Sequence, residues 1–185
     1  DFQGSRGLGD VYKRQSEESA EKRGVDIYGY VDGYGSTTDA HHITAPSEGG
    51  EGAYRAMKKA IEDADLKLSE IDYINAHGTS TPANDKNETN AIKTLFSDTA
   101  FDLQISSTKS MTGHLLGGAG AFESMVCLLS IKYNKIAPTI NLNVPDDECD
   151  LNYTPNTTLE KEVRTAMSNS FGFGGHNAVL LFSNI

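Results

Sequence analysis

The chain is short of cysteine, of basic residues and of long apolar runs, and each shortage narrows what it can be. Only two cysteines stand among 185 residues. Cys127 lies in the apolar run Met125-Val-Cys-Leu-Leu129 and reads as a small buried hydrophobe. Cys149 lies in Asp146-Asp-Glu-Cys-Asp150, where the neighbouring carboxylates disfavour a thiolate. Neither is a good nucleophile. Without metal or disulfide spacing, the pair fits a reducing, cytoplasmic setting. Lysine and arginine number 16 against 26 acidic residues, a net charge of −10. A field of that sign repels phosphate backbones and anionic lipid, so nucleic acid and membrane surfaces are not expected partners. An acidic carrier protein could still dock on a local basic patch. No window approaches the 18 consecutive apolar residues of a membrane span, and no N-terminal stretch has the pattern of a secretory signal.

What is present is the composition of a globular domain, 37% hydrophobic and 23% charged. At this length one domain buries roughly 70% of its unfolded surface. Residues 1–15 do not match the rest. The string Gly9-Asp-Val-Tyr-Lys-Arg-Gln15 resembles translated adapter sequence, and residues 1–15 are expected to be a non-native or disordered arm ahead of a domain over 16–185.

Along that domain extended and helical patterns alternate. Asp26–Tyr34 alternates bulky β-formers with glycine and acid, as a strand with close backbone approaches would. Pro46-Ser47 opens a helix whose Ala53, Ala56, Met57, Ala60, Ile61 and Ala64 form one stripe. Ile71–Ala76 predicts a strand and Pro82 a helix with Ala91, Ile92, Leu95 and Phe96 inward. Ile105–Thr108 predicts a short strand, and His114–Tyr133 a buried helix that starts on small residues. Thr139–Leu142, Thr165–Asn169 and Asn177–Ser183 read as further strands. The class is α/β with a largely parallel or mixed sheet.

Two segments carry chemistry: Asn75-Ala-His-Gly-Thr-Ser-Thr-Pro82 and Ser107-Thr-Lys-Ser-Met-Thr-Gly-His114. Two neutral imidazoles converging on one carbonyl oxygen stabilise the negative charge that develops there. His77 stands at the C-terminal end of a predicted strand, where open α/β sheets place ligands. Alone, it reads more readily as a loop histidine whose Thr79, Ser80 and Thr81 cap the next helix. His114 is read at a helix N-terminus, which would hold its imidazole neutral. Lys109 is either solvated or a partner for Glu123, a carboxylate hard to bury unpaired in an apolar helix. Phe171-Gly-Phe-Gly-Gly175 is a turn with core phenylalanines or a gate over a channel. His41 and His42 read as solvated, and His176 has no partner at metal spacing, so no metal site is expected.

With Asn169-Ser-Phe-Gly-Phe-Gly-Gly175, these segments resemble the C-terminal half of the β-ketoacyl-acyl-carrier-protein synthases, in the family's order and spacing. His42-Ile-Thr-Ala-Pro46 is more similar to the type II synthases. The resemblance implies a thiolase-like fold, the C-terminal half of an αβαβα layered structure with a mixed five-stranded sheet. It makes His77 and His114 the pair that activates malonyl decarboxylation, Lys109 the active-site lysine and Glu123 its supporting glutamate. Thr79 and Thr81 would hydrogen-bond a phosphopantetheine arm, and Phe171 and Phe173 would fall in the gating loop. It implies an acyl carrier protein as partner, a homodimer, and no cofactor beyond the phosphopantetheine that carries substrate.

The family's nucleophilic cysteine sits on a strand-to-helix elbow in its N-terminal half, and nothing here matches that elbow. The expectation is a fragment of a condensing enzyme, inactive alone, with apolar surface left open. The alternatives are a non-catalytic partner resembling a chain-length factor, or a fragment of a polyketide ketosynthase.

Overall fold

The computed structural model describes residues 15–184. Of the arm expected over residues 1–15, all but Gln15 lies outside them. The elements are α1 (Glu17–Arg23), β1 (Tyr30–Thr38), α2 (Glu51–Asp63), β2 (Tyr73–Asn75), α3 (Pro82–Phe96), β3 (Gln104–Ser106), α4 (Lys109–Thr112), α5 (Ala119–Tyr133), β4 (Lys135–Ile136), β5 (Leu159–Glu160), β6 (Thr165–Gly172) and β7 (His176–Ser183). Five strands form one mixed sheet in the order β1-β7-β6-β2-β3, and β4 and β5 make a separate small pair. β2 runs parallel to both β3 and β6, while β7 is antiparallel to β6 and β1.

Helices cover both faces of the sheet. The apolar stripes of α2 and α3 meet Ile74, Ile105, Met167, Val179 and Leu181 on one face. On the other, Cys127 and Ile131 of α5 pack on Tyr73, Ala166 and Phe182. Each fully buried large apolar side chain contributes about 1.5–3 kcal/mol. α2 lies so close to β1 that a Cβ on Gly35 would stand 1.9 Å from the Ala56 carbonyl oxygen, and one on Gly33 2.1 Å from that of Ala60. Those two glycines therefore belong to the strand because no side chain fits there.

Three expectations are corrected. The first strand begins at Tyr30, four residues past the expected start, because its ladder with β7 pairs Tyr30 with Ser183 and Thr38 with His176. The stretch His114–Tyr133 is not one helix. Gly113 (φ 70°) and Leu116 (φ 50°) break it, and α5 begins only at Ala119. Nor is α5 buried all round: Ala119, Glu123, Cys127, Ser130 and Ile131 are buried, while Phe122, Met125, Val126 and Leu129 remain partly exposed. Thr139–Leu142 is a turn rather than a strand. Asn141 takes φ 64°, and Thr139 makes only an isolated bridge to Pro155. No helix among the described residues is long and apolar enough to cross a membrane.

Candidate active site

The parallel strands set the site. Asn75, Ser106 and Ser168 are register partners across β3, β2 and β6, so the loops leaving these strands start from one edge of the sheet. The loop after β2 carries His77, and Lys109 comes three residues after the end of β3. β6 continues past its pairing with β2 to Asn169 and Phe171. The C-terminal ends of parallel strands are where α/β sheets bind ligands.

A buried carboxylate holds the first histidine's backbone. Glu88 Oε1 accepts from the His77 N–H and Glu88 Oε2 from the Gly78 N–H, both at 2.9 Å. Asn169 Nδ2 donates to the same carboxylate at 3.0 Å. Burial raises the Glu88 pKa, and these donors pull it back. Gly78 (φ 40°) is required on a second count, since a Cβ there would lie 2.5 Å from Ser107 Cβ. The Ser107 hydroxyl donates to the Gly78 carbonyl at 2.7 Å, tying the two histidine-bearing loops together.

The two imidazoles meet edge to face, their centroids 5.5 Å apart and their planes at 82°. The Phe171 ring lies 5.7 Å from His77 on another side. His77 is buried, and its Nδ1 has no hydrogen-bond partner. Desolvation, then the Lys109 charge, then His114, lower its pKa to about 3, so the ring is neutral at physiological pH. His114 is exposed, and its Nδ1 accepts from the Leu116 N–H at 3.1 Å. The proton of the neutral ring is thereby assigned to Nε2. Its pKa is also lowered, by desolvation first and Lys109 second. This replaces the helix-terminus explanation, because α5 begins five residues later.

Lys109 and Glu123 form the expected buried ion pair. Burial raises the Glu123 pKa and Lys109 opposes that rise. The Oε2 oxygen of Glu123 and the Oδ1 oxygen of Asn75 are buried without partners. Thr79 and Thr81 hydrogen-bond each other at 2.9 Å. They line a cleft of about 910 Å3 with Lys109, Ser110 and His114, which extends to Thr89, Cys149 and Tyr153. Phe173 is 79% exposed on the turn after β6. That turn is held from the 39–47 loop, where Ile43 O accepts from the Gly174 N–H at 2.7 Å.

Neither cysteine is an activated nucleophile. Burial raises both thiol pKa values, with the nearby acids a later cause for Cys149 than expected from its sequence setting. The residue that the sequence does not single out is Glu88. Glu88 continues the stripe of Ala91, Ile92, Leu95 and Phe96 back by one turn, and a lone carboxylate on such a stripe was the available signal. His42, although exposed, accepts at Nδ1 from the Thr44 and Ala45 N–H groups, both at 3.1 Å.

Comparison with known proteins gives the family and the fold. Residues 28–143 match the model of the β-ketoacyl synthase C-terminal domain. The chain is 55% identical over 168 residues to 3-oxoacyl-[acyl-carrier-protein] synthase 2 of Staphylococcus aureus, covering 91% of this chain and 42% of that one. It is 54% identical over 165 residues to the enzyme of the same name in Synechocystis, covering 89% of this chain and 40% of the relative. The chain thus spans about two fifths of the length of these curated relatives. Among solved structures it resembles a type II PKS acyl-carrier protein complex with its ketosynthase bound to the hexaketide, at TM-score 0.89 and 41% identity, covering 92% of this chain and 42% of that one. A β-ketoacyl synthase from Burkholderia phymatum superposes at TM-score 0.86 with 38% identity, over 92% of this chain and 41% of that one.

Proposed function

The chain belongs to the β-ketoacyl synthase family, whose C-terminal domain it carries, and from that premise we propose that it supplies the decarboxylating half of a condensing site in fatty acid synthesis. The observation that carries the proposal is the pair of neutral imidazoles 5.5 Å apart, one of them with Nδ1 occupied and Nε2–H free to donate. Such donors bind an oxyanion without the reorganisation that water needs.

In this reading a malonyl group enters as a carrier-protein thioester, its phosphopantetheine arm lying along Thr79 and Thr81. His77 and His114 donate to the thioester oxygen. The bond to the carboxylate breaks, carbon dioxide leaves, and the electron pair passes into the enolate whose charge sits on that oxygen. The enolate carbon then attacks an acyl thioester held on a cysteine elsewhere in the complete synthase. Its carbon–sulfur bond breaks and the cysteine thiolate is released. Burial first, and the Lys109 charge second, keep both rings neutral, while Glu123 holds Lys109 in place through their ion pair. Phe171 and Phe173 frame the channel. No cofactor is needed beyond the carrier's own arm, and the complete enzyme works as a cytoplasmic homodimer with the carrier protein. The chain by itself is inactive, since its own cysteines have raised pKa values. A fatty-acid role is favoured over a polyketide one by identity, 55% against 41%. Retention of both histidines speaks against a non-catalytic chain-length factor.

The test is His114→Ala in a complete synthase carrying this segment. Acyl transfer to the nucleophilic cysteine is expected to persist while malonyl decarboxylation falls by about 100-fold or more. Loss of acyl transfer with decarboxylation intact would overturn the assignment.

A further inference from the structure

A turn that holds none of the reacting groups supports both histidine loops. Thr139 stands three residues past β4, and its backbone is fixed by the segment 154–156. Its N–H donates to the Thr154 carbonyl and its carbonyl accepts from the Asn156 N–H, both at 2.9 Å. Thr154 is anchored in turn, since its hydroxyl donates to the Ile105 carbonyl of β3 at 2.9 Å. From that fixed point the Thr139 hydroxyl oxygen accepts from the Ser107 N–H at 3.0 Å. Ser107 is 8% exposed, and each of its polar groups is bonded. Its hydroxyl donates to the Gly78 carbonyl at 2.7 Å, next to His77. Its carbonyl accepts from the Ser110 hydroxyl at 2.8 Å and the Ser110 N–H at 3.3 Å, in α4, which leads to His114. A further bond joins the turn to that helix: the Ile140 N–H donates to Ser110 Oγ at 3.0 Å. Gly78 is held from two sides, because Glu88 takes its N–H and Ser107 its carbonyl. The spacing of the imidazoles therefore traces back to Ser107, and the place of Ser107 to Thr139.

We propose that Thr139 is a positioning residue for the histidine pair: its hydroxyl oxygen holds Ser107, and through Ser107 it keeps His77 and His114 at the separation from which both reach one oxygen. The consequence for catalysis rests on the reading of the pair as an oxyanion site, whereas the spacing itself can be read without substrate. Without the hydroxyl, the Ser107 N–H is a buried donor lacking a partner, and the loop must shift to find another acceptor. That shift carries the Gly78 carbonyl and the start of α4 with it. A misplacement of about 1 Å in groups that act together costs about 100-fold in rate.

Thr139→Val keeps the shape of the side chain and removes the acceptor, while Thr139→Ser keeps the acceptor. The first measurement takes the full chain at low ionic strength, with its histidines isotope-labelled, and reads the nuclear Overhauser effect between the ring protons of His77 and His114. The cross-peak is expected in the wild type and in Thr139→Ser, and its loss in Thr139→Val. The second is malonyl decarboxylation by a complete synthase carrying this segment. There Thr139→Val should lower kcat by about 10- to 100-fold at unchanged KM, and Thr139→Ser should restore it. A raised KM at unchanged kcat would assign Thr139 to substrate contact in the cleft it lines and overturn the proposal. So would a folded valine variant that keeps the wild-type cross-peak, or a serine variant as impaired as the valine one. If the valine variant does not fold, Ser107→Ala, which removes only the bond to Gly78, is read in its place. The same losses are expected there, and a wild-type cross-peak would break the link from Thr139 to the pair and overturn the proposal. Decarboxylation spared by His114→Ala would instead remove the oxyanion reading, and the cross-peak would still report the spacing.

Discussion

Burial fixes the charge state of His77, and that makes the histidine a term in the pH dependence of stability. Its pKa is about 3 in the folded chain against 6.5 for an ordinary histidine. Between those values the unfolded chain binds a proton that the folded chain does not. The stability tied to neutral His77 is therefore complete above pH 6.5 and is lost as the pH falls toward 3, by at most about 5 kcal/mol. The raised carboxyl pKa of Glu88 works in the opposite sense, so a difference measurement is needed. Urea unfolding of the wild type and His77→Gln from pH 7 to pH 4 should show the wild type losing more stability than the variant. Parallel pH profiles would refute the buried, neutral state. Glu88 itself can be tested at constant pH. Glu88→Ala strands the His77 and Gly78 N–H groups, and each buried orphan costs about 1–3 kcal/mol. Glu88→Gln keeps one acceptor and should fall between the alanine variant and the wild type in the same urea assay. At this scale the sequence named the histidines, the lysine and its glutamate, because each sits in a distinctive local string. It could not name the partner of the His77 loop: the contact joins Glu88 on α3 to two backbone donors ten and eleven residues away. Only the folded loop brings them together.

The elements were legible where one period dominated. α2 and α3 carry their buried residues at helical spacing: the expected inner positions Ala53, Ala56, Met57, Ala60 and Ile61, and Ala91, Ile92, Leu95 and Phe96, are buried, while Ala64, expected on the same stripe, is the α2 C-cap and only half-buried. The failures came where local pattern and backbone geometry disagree. The run from His114 to Tyr133 is apolar and small enough to suggest one helix, but positive φ at Gly113 and Leu116 divides it. The glycines of β1 test the same distinction between a residue chosen for its backbone and one chosen for space. Gly35→Ala would drive a Cβ to within 1.9 Å of the Ala56 carbonyl oxygen and 2.8 Å of the Ala60 nitrogen. Relief requires α2 to move off the sheet, and overpacking of this kind costs about 3 kcal/mol or more. Gly24 is the control. Its φ is 62° and nothing lies within 4 Å of an added Cβ, so Gly24→Ala should cost only about 1 kcal/mol, through the backbone alone. Chemical denaturation of both variants gives the ranking, and equal losses would show that β1 and α2 are less tightly packed than these distances require.

On the scale of the molecule, the fold class and sheet were recoverable because strand and helix signals alternate, yet composition says little about which surfaces end up open. α5 is apolar around its whole circumference, and a helix of that kind is ordinarily buried on every side. Here one side packs on the sheet and the other does not. The large apolar side chains of Ile43, Met111, Leu115, Leu116 and Phe173 are also exposed. Scattered exposure of this sort is normal, but a contiguous patch above a few hundred Å2 marks a surface that another body of protein covers. The net charge of −10 opposes close approach of two copies at low ionic strength. Salt screens that repulsion and leaves the apolar attraction in place, the Debye length shrinking from about 30 Å at 0.01 M to about 8 Å at 0.15 M. The purified chain should therefore bind a hydrophobic dye strongly and self-associate further as salt is raised. Sedimentation velocity at several salt concentrations checks this. A monomer at all of them, silent to the dye, would mean that the open face of α5 closes on the chain itself.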